Sequence, residues 1–376
     1  MQSLVAAVVV IGAAVFVQSV LPQHASSPSD AGLTLPPPAP FTVRYQIEAM
    51  TLREKIGQLF MVSFSGTVLD DQTVAWMREY AIGGVILLGG NVESEEQTKS
   101  LVANLTERVS KELPSPLLIA VDQEGGTVSR FRWNGYEARA QKDVGNGDDA
   151  YALARLRAKE LRALGIHMNF SPVLDSAKSK NDFIYERAFR GDVHTVAALG
   201  TRMIQGYLDG GIIPVAKHYP GHGDTSVDSH KKLPVTKRDG AGWREHLLPF
   251  KEAVKAGVPA IKTAHVLVPL IDPAYPASIS KSIVADILRS GLGFRGVVVS
   301  DDLGMGALTS TYTFPDIALR ALDAGTDILL VVRDKNTYKS MIDAIEQAIT
   351  IGSMSETRLD ESLERILLLK HRVIQS

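Results

Sequence analysis

The chain has 376 residues, 40 lysines and arginines against 42 aspartates and glutamates, a net charge of −2, 45% hydrophobic residues and no cysteine. That balance excludes a disordered or collagen-like chain, and without a global excess or a local block of positive charge nothing draws nucleic acid. The missing cysteine removes disulfides, Cys-ligated zinc, iron–sulfur clusters and thiol nucleophiles together, while the length allows either two domains or one large α/β barrel.

Residues 4–17 are an unbroken apolar or small run. It is long enough for the core of a signal peptide and short of the ~20 residues of an ordinary spanning helix. No Lys or Arg precedes it, and Gln23 to Ser26 make a poor cleavage site. Residues 1–20 are therefore expected to be a signal peptide or a retained membrane anchor, with a buried helix as the alternative. Either of the first two places the protein outside the cytoplasm, exported or anchored. Pro22, Pro28, Pro36, Pro37, Pro38 and Pro40 mark 21–40 as an extended linker.

From residue 41 onward, short β-rich apolar runs alternate with segments of helical period, the pattern of a parallel α/β fold. The expected strands are 58–64, 84–88, 117–121, 167–171, 212–216, 260–264, 296–300 and 327–332. Helical segments such as 70–80, 95–113, 149–164, 193–208, 242–255 and 280–290 lie between them, and a last helix spans 356–373. Eight strands each followed by helix predict a single (β/α)8 barrel over 41–376, with no room for a second domain. The helix at 149–164 illustrates the pattern. Ala150, Leu153, Ala154, Leu156, Leu161 and Leu164 are spaced to cover one side, Arg155, Arg157, Lys159, Glu160 and Arg162 are left to solvent, and Gly165 stops it.

In such a barrel all strand C-termini open on one face. Asp122, Asp175, Lys217, His218, His265, Asp301 and Asp302 all fall at or just past expected strand ends, so one pocket is expected to collect them. The densest segment runs from Lys217 to His230, with three histidines and two aspartates after Lys217. It admits three readings: a polar loop whose Asp and His cap turns; a metal site of His218, His222, His230 and Asp224; or an acid/base dyad in which a carboxylate orients an imidazole. The spacing matches neither His-x-His nor H-E-x-x-H. The second segment, Gly296 to Gly304, delivers Asp301 and Asp302 from a β-branched strand, and only one of them needs to face the pocket. A helix N-cap is the alternative there.

Taken together, the K-H-x-P-G-H-G-D-x-x-x-D-S-H loop (Lys217 to His230) and the S-D-D-L element (Ser300 to Leu303) resemble glycoside hydrolase family 3, in its compact β-N-acetylglucosaminidase branch. Ile56-Gly57-Gln58-Leu59-Phe60, Asp122-Gln123-Glu124-Gly125-Gly126, the stretch from Asn169 to Asp175, Glu186-Arg187-Ala188-Phe189 and Thr263-Ala264-His265-Val266 agree in order. The resemblance implies retaining hydrolysis of terminal β-linked N-acetylglucosamine without metal or cofactor. It implies Asp301 as nucleophile, His230 paired with Asp228 as acid/base, and Asp122, Arg130, Arg187, Lys217 and His218 as the residues that hold the sugar. Retention normally uses two carboxyl groups ~5 Å apart, but an imidazole with an ordinary pKa of ~6.5 can also give and take the proton. Asp175, His222, Asp224, His265 and Asp302 are expected to support these groups.

One departure is Thr127, where the branch usually has arginine after the two glycines, so a contact at the substrate rim is expected to differ. Many members are cytoplasmic and recycle cell-wall fragments. The apolar N-terminus here favours a cell-wall or external chitin-type substrate. Competing readings are a β-glucosidase of the same family, an N-acetylglucosaminide phosphorylase, and a sugar-binding protein without turnover.

Overall fold

The computed structural model describes residues 40–133 and 135–374. Eight parallel strands follow one another in it: β1 (Phe60–Val62), β2 (Gly84–Leu87), β3 (Leu118–Val121), β4 (Met168–Asn169), β5 (Ile213–Tyr219), β6 (Ala260–Thr263), β7 (Val297–Val299) and β8 (Leu329–Val331). β1 pairs with both β2 and β8, and a parallel bridge between Val299 and Ile328 joins β7 to the start of β8. The sheet thus closes on itself, which is the predicted barrel. Strand residues are buried throughout, as a parallel sheet covered on both faces requires. Seven strands lie inside the spans expected from the sequence; β5 instead runs on to Tyr219, past the expected end at 216.

The helices are α1 (Pro40–Glu48), α2 (Leu52–Gln58), α3 (Asp71–Glu79), α4 (Glu95–Arg108), α5 (Gly147–Ala163), α6 (Val193–Asp209), α7 (Gly240–Lys255), a π-helix (Ser282–Gly291), α8 (Gly306–Thr309), α9 (Phe314–Ala324), α10 (Lys335–Thr350) and α11 (Glu356–His371). Asp70, Ser94, Asn146, Asp192, Asp239, Thr313, Asp334 and Ser355 cap eight of them by accepting first-turn N–H groups. Each such cap stabilises its helix by ~1 kcal/mol and fixes where the chain turns from loop to helix. The expected signal or anchor and most of the linker lie outside the described residues; Pro40, the last linker residue, opens α1. Among the described residues no helix is long and apolar enough to cross a membrane.

Helix α5 departs from its predicted faces. Ala150, Leu153, Ala154 and Leu161 are buried as expected, but Leu156 is 47% exposed and Arg157 is fully buried. The loop after β3 explains Arg157. It turns at Gly125 (φ 86°) and Gly126 (φ 61°), where a Cβ on Gly125 would lie 2.0 Å from the Arg139 carbonyl oxygen. The turn leaves the Glu124 and Arg139 carbonyls facing inward, and Arg157 donates to both, at 3.0 and 2.9 Å. A buried carbonyl without a donor costs ~1–3 kcal/mol, so a long cation from the neighbouring helix fills the role of solvent.

Candidate active site

The functional side chains are delivered by strand ends. The β5–β6 register shifts between Ala216 and Tyr219, and this irregularity lets Lys217 and His218 meet the ends of β3 and β4. Lys217, fully buried, places Nζ 2.6 Å from Asp122 Oδ1 and 2.6 Å from Glu124 Oε1. Arg187 grips Glu124 through two bonds of 2.9 and 2.6 Å and donates to His218 Nε2 at 3.2 Å. Arg130 Nη2 stands 3.7 Å from Asp122 Oδ2. Burial is the largest influence on both carboxylates and opposes their ionisation. Lys217, Lys262 and Arg130 outweigh it at Asp122, holding that group well below its usual range, and Arg187 and Lys217 hold Glu124 down to about 2.

His218 is locked by Asp175. The Asp175 carboxylate accepts from His218 Nδ1 at 2.7 Å, from the His218 backbone N–H at 3.1 Å and from the His222 backbone N–H at 2.5 Å. Burial, the dominant influence, pushes the His218 imidazole below its usual range. A neutral ring that gives its Nδ1 proton to Asp175 leaves Nε2 as an acceptor, which is what Arg187 requires. His222 behind it is pushed down to about 4, mainly by burial.

From β7, the two adjacent aspartates diverge. Asp301 Oδ1 accepts from Lys262 Nζ at 2.6 Å and from the Asp302 backbone N–H at 2.9 Å. Its Oδ2 has no hydrogen-bond partner among the described residues. Burial works against ionisation of Asp301 more than any other single influence, but Lys262, His218 and His265 together hold its carboxyl well below the ordinary range. Asp302 turns away and accepts from Gly304 N–H (2.9 Å) and Val332 N–H (2.8 Å), tying the end of β7 to the end of β8. His265 Nε2 lies 2.8 Å from the Asp302 carbonyl and its Nδ1 2.7 Å from Ser278 Oγ. A carbonyl can only accept, so the proton sits on Nε2 and the serine hydroxyl donates to Nδ1.

The Asp228–His230 pair lies further out. His230 Nδ1 is 2.7 Å from Asp228 Oδ1, which also accepts the His230 backbone N–H at 3.0 Å. The imidazole is 64% exposed. Two backbone bonds dock its loop on the first residues of α8, Gly306 N–H to the His230 carbonyl (3.1 Å) and Ala307 N–H to the Ser229 carbonyl (3.2 Å). The Phe183 ring lies 5.9 Å from His222 and 6.3 Å from His230. The structure therefore joins Asp122, Arg130, Arg187, Lys217 and His218 in one contact network. Asp301 sits beside it, because the Lys217 and Lys262 ammoniums share the Phe170 ring, at 5.9 and 5.3 Å. Asp228 and His230 contact each other and reach the Asp301 segment through the backbone.

Two residues of the site were missed in the sequence. Glu124 lies inside the Asp122-to-Gly126 motif, where the sequence pattern assigns it no role; it is the anion that holds both Arg187 and Lys217. Lys262 interrupts the apolar strand β6, and a cation in a buried strand must find a counter-ion, which was the available signal. Among the described residues no three His, Asp or Glu side chains converge as a metal-holding group. His218 is engaged by Asp175, His230 by Asp228, and Asp224 by Arg238 at 3.0 Å.

A closed parallel barrel with paired carboxylates and cations at its C-terminal rim is an architecture that glycoside hydrolases share with many other enzymes. Residues 51–369 match the N-terminal domain of glycosyl hydrolase family 3, and the chain belongs to that family. Within it, the chain falls in the β-hexosaminidase group. It is 38% identical over 284 residues to a β-hexosaminidase of Xylella fastidiosa, covering 73% of this chain and 83% of that protein. It is also 38% identical over 311 residues to one of Stenotrophomonas maltophilia, covering 80% and 90%. Among solved structures it is similar to a family 3 β-N-acetylglucosaminidase from a Paenibacillus species (TM-score 0.84, 38% identity), covering 87% of this chain and 64% of that longer one. A β-N-acetylhexosaminidase from Beutenbergia cavernae matches at TM-score 0.79 and 30% identity, covering 85% of this chain and 98% of that one.

Proposed function

We propose that the protein removes terminal β-linked N-acetylglucosamine from cell-wall or chitin-type glycans outside the cytoplasm, with retention at the anomeric carbon. Asp122, Arg130, Arg187, Lys217 and His218 bind the terminal sugar. Their charged partners give stronger bonds to hydroxyls than neutral ones would, and the buried ion pairs hold them in place before substrate arrives. Asp301 attacks the anomeric carbon, and the glycosidic oxygen leaves with a proton from the His230 imidazolium. Water then attacks the glycosyl ester, passing a proton back to His230, and Asp301 departs as a carboxylate. Asp228 orients the imidazole through Nδ1, leaving Nε2 to exchange protons.

The observation that carries this reading is the geometry of Asp301: ionised, anchored through one oxygen, with the other oxygen free. Because Asp301 stays ionised far below neutrality, its protonation does not set the acidic limb of the activity profile. The test combines a panel of nitrophenyl sugars, assayed with and without phosphate, with a ring-fluorinated N-acetylglucosaminyl fluoride as covalent trap. Preference for N-acetylglucosaminide, free sugar of retained configuration as product, and the trap on Asp301 are expected. An inverted product, or a trap carried elsewhere, would overturn the mechanism. A sugar phosphate as product would make the protein a phosphorylase instead.

A further inference from the structure

Lys262 lies on β6, 5% exposed, with its ammonium against the Phe170 ring and 2.6 Å from Asp301 Oδ1. The same oxygen accepts the Asp302 backbone N–H at 2.9 Å. Two donors on Oδ1 and, among the described residues, none on Oδ2 make the two oxygens of one carboxylate unequal, and we propose that Lys262 uses this inequality to drive the second half of the reaction, the release of sugar from Asp301. The inference rests on the reading of Asp301 as nucleophile.

The free oxygen, Oδ2, is the one able to attack. When it bonds to the anomeric carbon, the electron pair of the glycosidic bond passes to the leaving oxygen, and Oδ1 becomes the carbonyl oxygen of the ester. The carboxylate charge is then gone, and Lys262 is left buried without its principal counter-ion. Asp122, the other carboxylate that favours its charge, is already bonded to Lys217. Lys262 nevertheless remains a cation in the free enzyme. Burial, the largest influence, opposes its charge, and Asp301 and Asp122 more than offset that opposition. An unpaired buried charge is expensive, so the ester is raised in energy relative to the states on either side of it.

The consequences for the two steps are opposite. In the first, the nucleophile surrenders an ion pair as it attacks, which slows it. In the second, water bonds to the anomeric carbon, the bond to Oδ2 breaks, and its electron pair returns to the carboxylate. Negative charge grows on Oδ1 where Lys262 and the Asp302 N–H already stand, an arrangement that acts like an oxyanion hole for the departing carboxylate. Lys262 thereby keeps the covalent intermediate from accumulating.

The experiment is stopped-flow and steady-state kinetics of the full chain with dinitrophenyl N-acetyl-β-glucosaminide, comparing wild type, Lys262→Met and Lys262→Arg. Wild type is expected to show no burst of dinitrophenol. Lys262→Met is expected to lose ~10²-fold in kcat, the scale of one oxyanion donor. Its KM should fall in parallel, leaving kcat/KM within ~3-fold, with a burst stoichiometric with enzyme and an N-acetylglucosaminyl adduct mapped to Asp301. Lys262→Arg, which keeps the charge and the donor, should recover most of kcat and abolish the burst. If kcat and kcat/KM fall together without a burst in Lys262→Met, Lys262 only orients Asp301 and the proposal is wrong. A full burst already present in wild type overturns it too, and that measurement stands even if the methionine variant fails to fold. An adduct on another residue would instead remove the nucleophile assignment on which both readings depend.

Discussion

Replacing Asp175 by Asn keeps the number of heavy atoms at the site and should still disable it. Asp175 is fully buried and accepts three N–H groups, two from His218 and one from His222. An amide has one acceptor oxygen and one NH2 group. If the oxygen keeps the His222 N–H, the NH2 faces His218, whose backbone N–H and Nδ1–H are both donors. The imidazole escapes that clash at Nδ1 only by moving its proton to Nε2, and that proton then meets Arg187 Nη2, a second donor 3.2 Å away. One charge-assisted bond is lost, ~1.5–3 kcal/mol, and one buried donor is left unmatched, ~1–3 kcal/mol. At 1.36 kcal/mol per factor of ten this corresponds to a loss of ~10²- to 10⁴-fold in kcat/KM, with the nitrophenyl N-acetylglucosaminide as substrate. Circular dichroism and thermal melting of Asp175→Asn should show a folded protein. A variant within ~3-fold of wild-type kcat/KM would refute the argument that Asp175 fixes the His218 tautomer, since the expected loss is at least thirty times larger.

Two further outcomes follow from burial alone. A Cβ on Gly223 would sit 1.7 Å from the Ser176 carbonyl oxygen, whereas one on Gly89 would meet nothing within 4 Å. Gly223→Ala should therefore displace the loop that carries Asp228 and His230 and remove most activity, with Gly89→Ala unaffected; equal activity of the two would show that the loop adapts. Lys370, buried and bonded among the described residues only to Gln58 Oε1 at 2.8 Å, is pushed from its ordinary value down to about 7 by burial. The unfolded chain keeps that proton up to pH ~10.4, so this group's contribution to stability is present above that pH and is lost as pH falls towards 7, by a few kcal/mol in all. Lys370→Met should raise the melting temperature at pH 6 by more than at pH 9.5, and an equal or larger gain at pH 9.5 would contradict the burial argument.

How far the sequence revealed this molecule depends on whether the deciding contact is local. The strands were legible because β-branched apolar runs of that length have few alternatives, and the glycine after α5 was legible because Gly165 adopts φ 76° where the helix ends. The sequence pattern opens β1 at residue 58, whereas Gln58 ends α2 in the structure. Thr51 and Glu54 form a capping box that signals this helix in the sequence. Arg157 is illegible for a different reason: it is a long cation whose partners come from other segments, so periodicity assigns it to solvent; Lys262 stands out in its apolar strand, but its partner, from β7, does not. The choice between Asp301 and Asp302 comes from the resemblance to the family, and the strand pattern alone leaves it open. Adjacent residues on an extended chain face opposite sides, and which side is the pocket follows from the pairing of β7 with β8, where Val332 N–H claims Asp302.

The same distant pairings explain how a site so rich in charge would suit the neutral sugar proposed for it. Asp122, Glu124, Asp175 and Asp301 face Arg130, Arg187, Lys217 and Lys262, and each carboxylate is bonded to or near a cation or an imidazole. Buried pairs of this kind add little net stability, because desolvation consumes most of their attraction. They persist because the apolar barrel beneath them, with Phe170 under both lysines, supplies the stability they do not. A neutral ring that enters can share their donors and acceptors without shifting the charge balance. In the proposed mechanism only esterification of Asp301 changes the count, by deleting one anion from a matched set. On that proposal the imbalance is created at the covalent intermediate and relieved by its breakdown, so a pocket balanced for binding would also be biased toward completing hydrolysis.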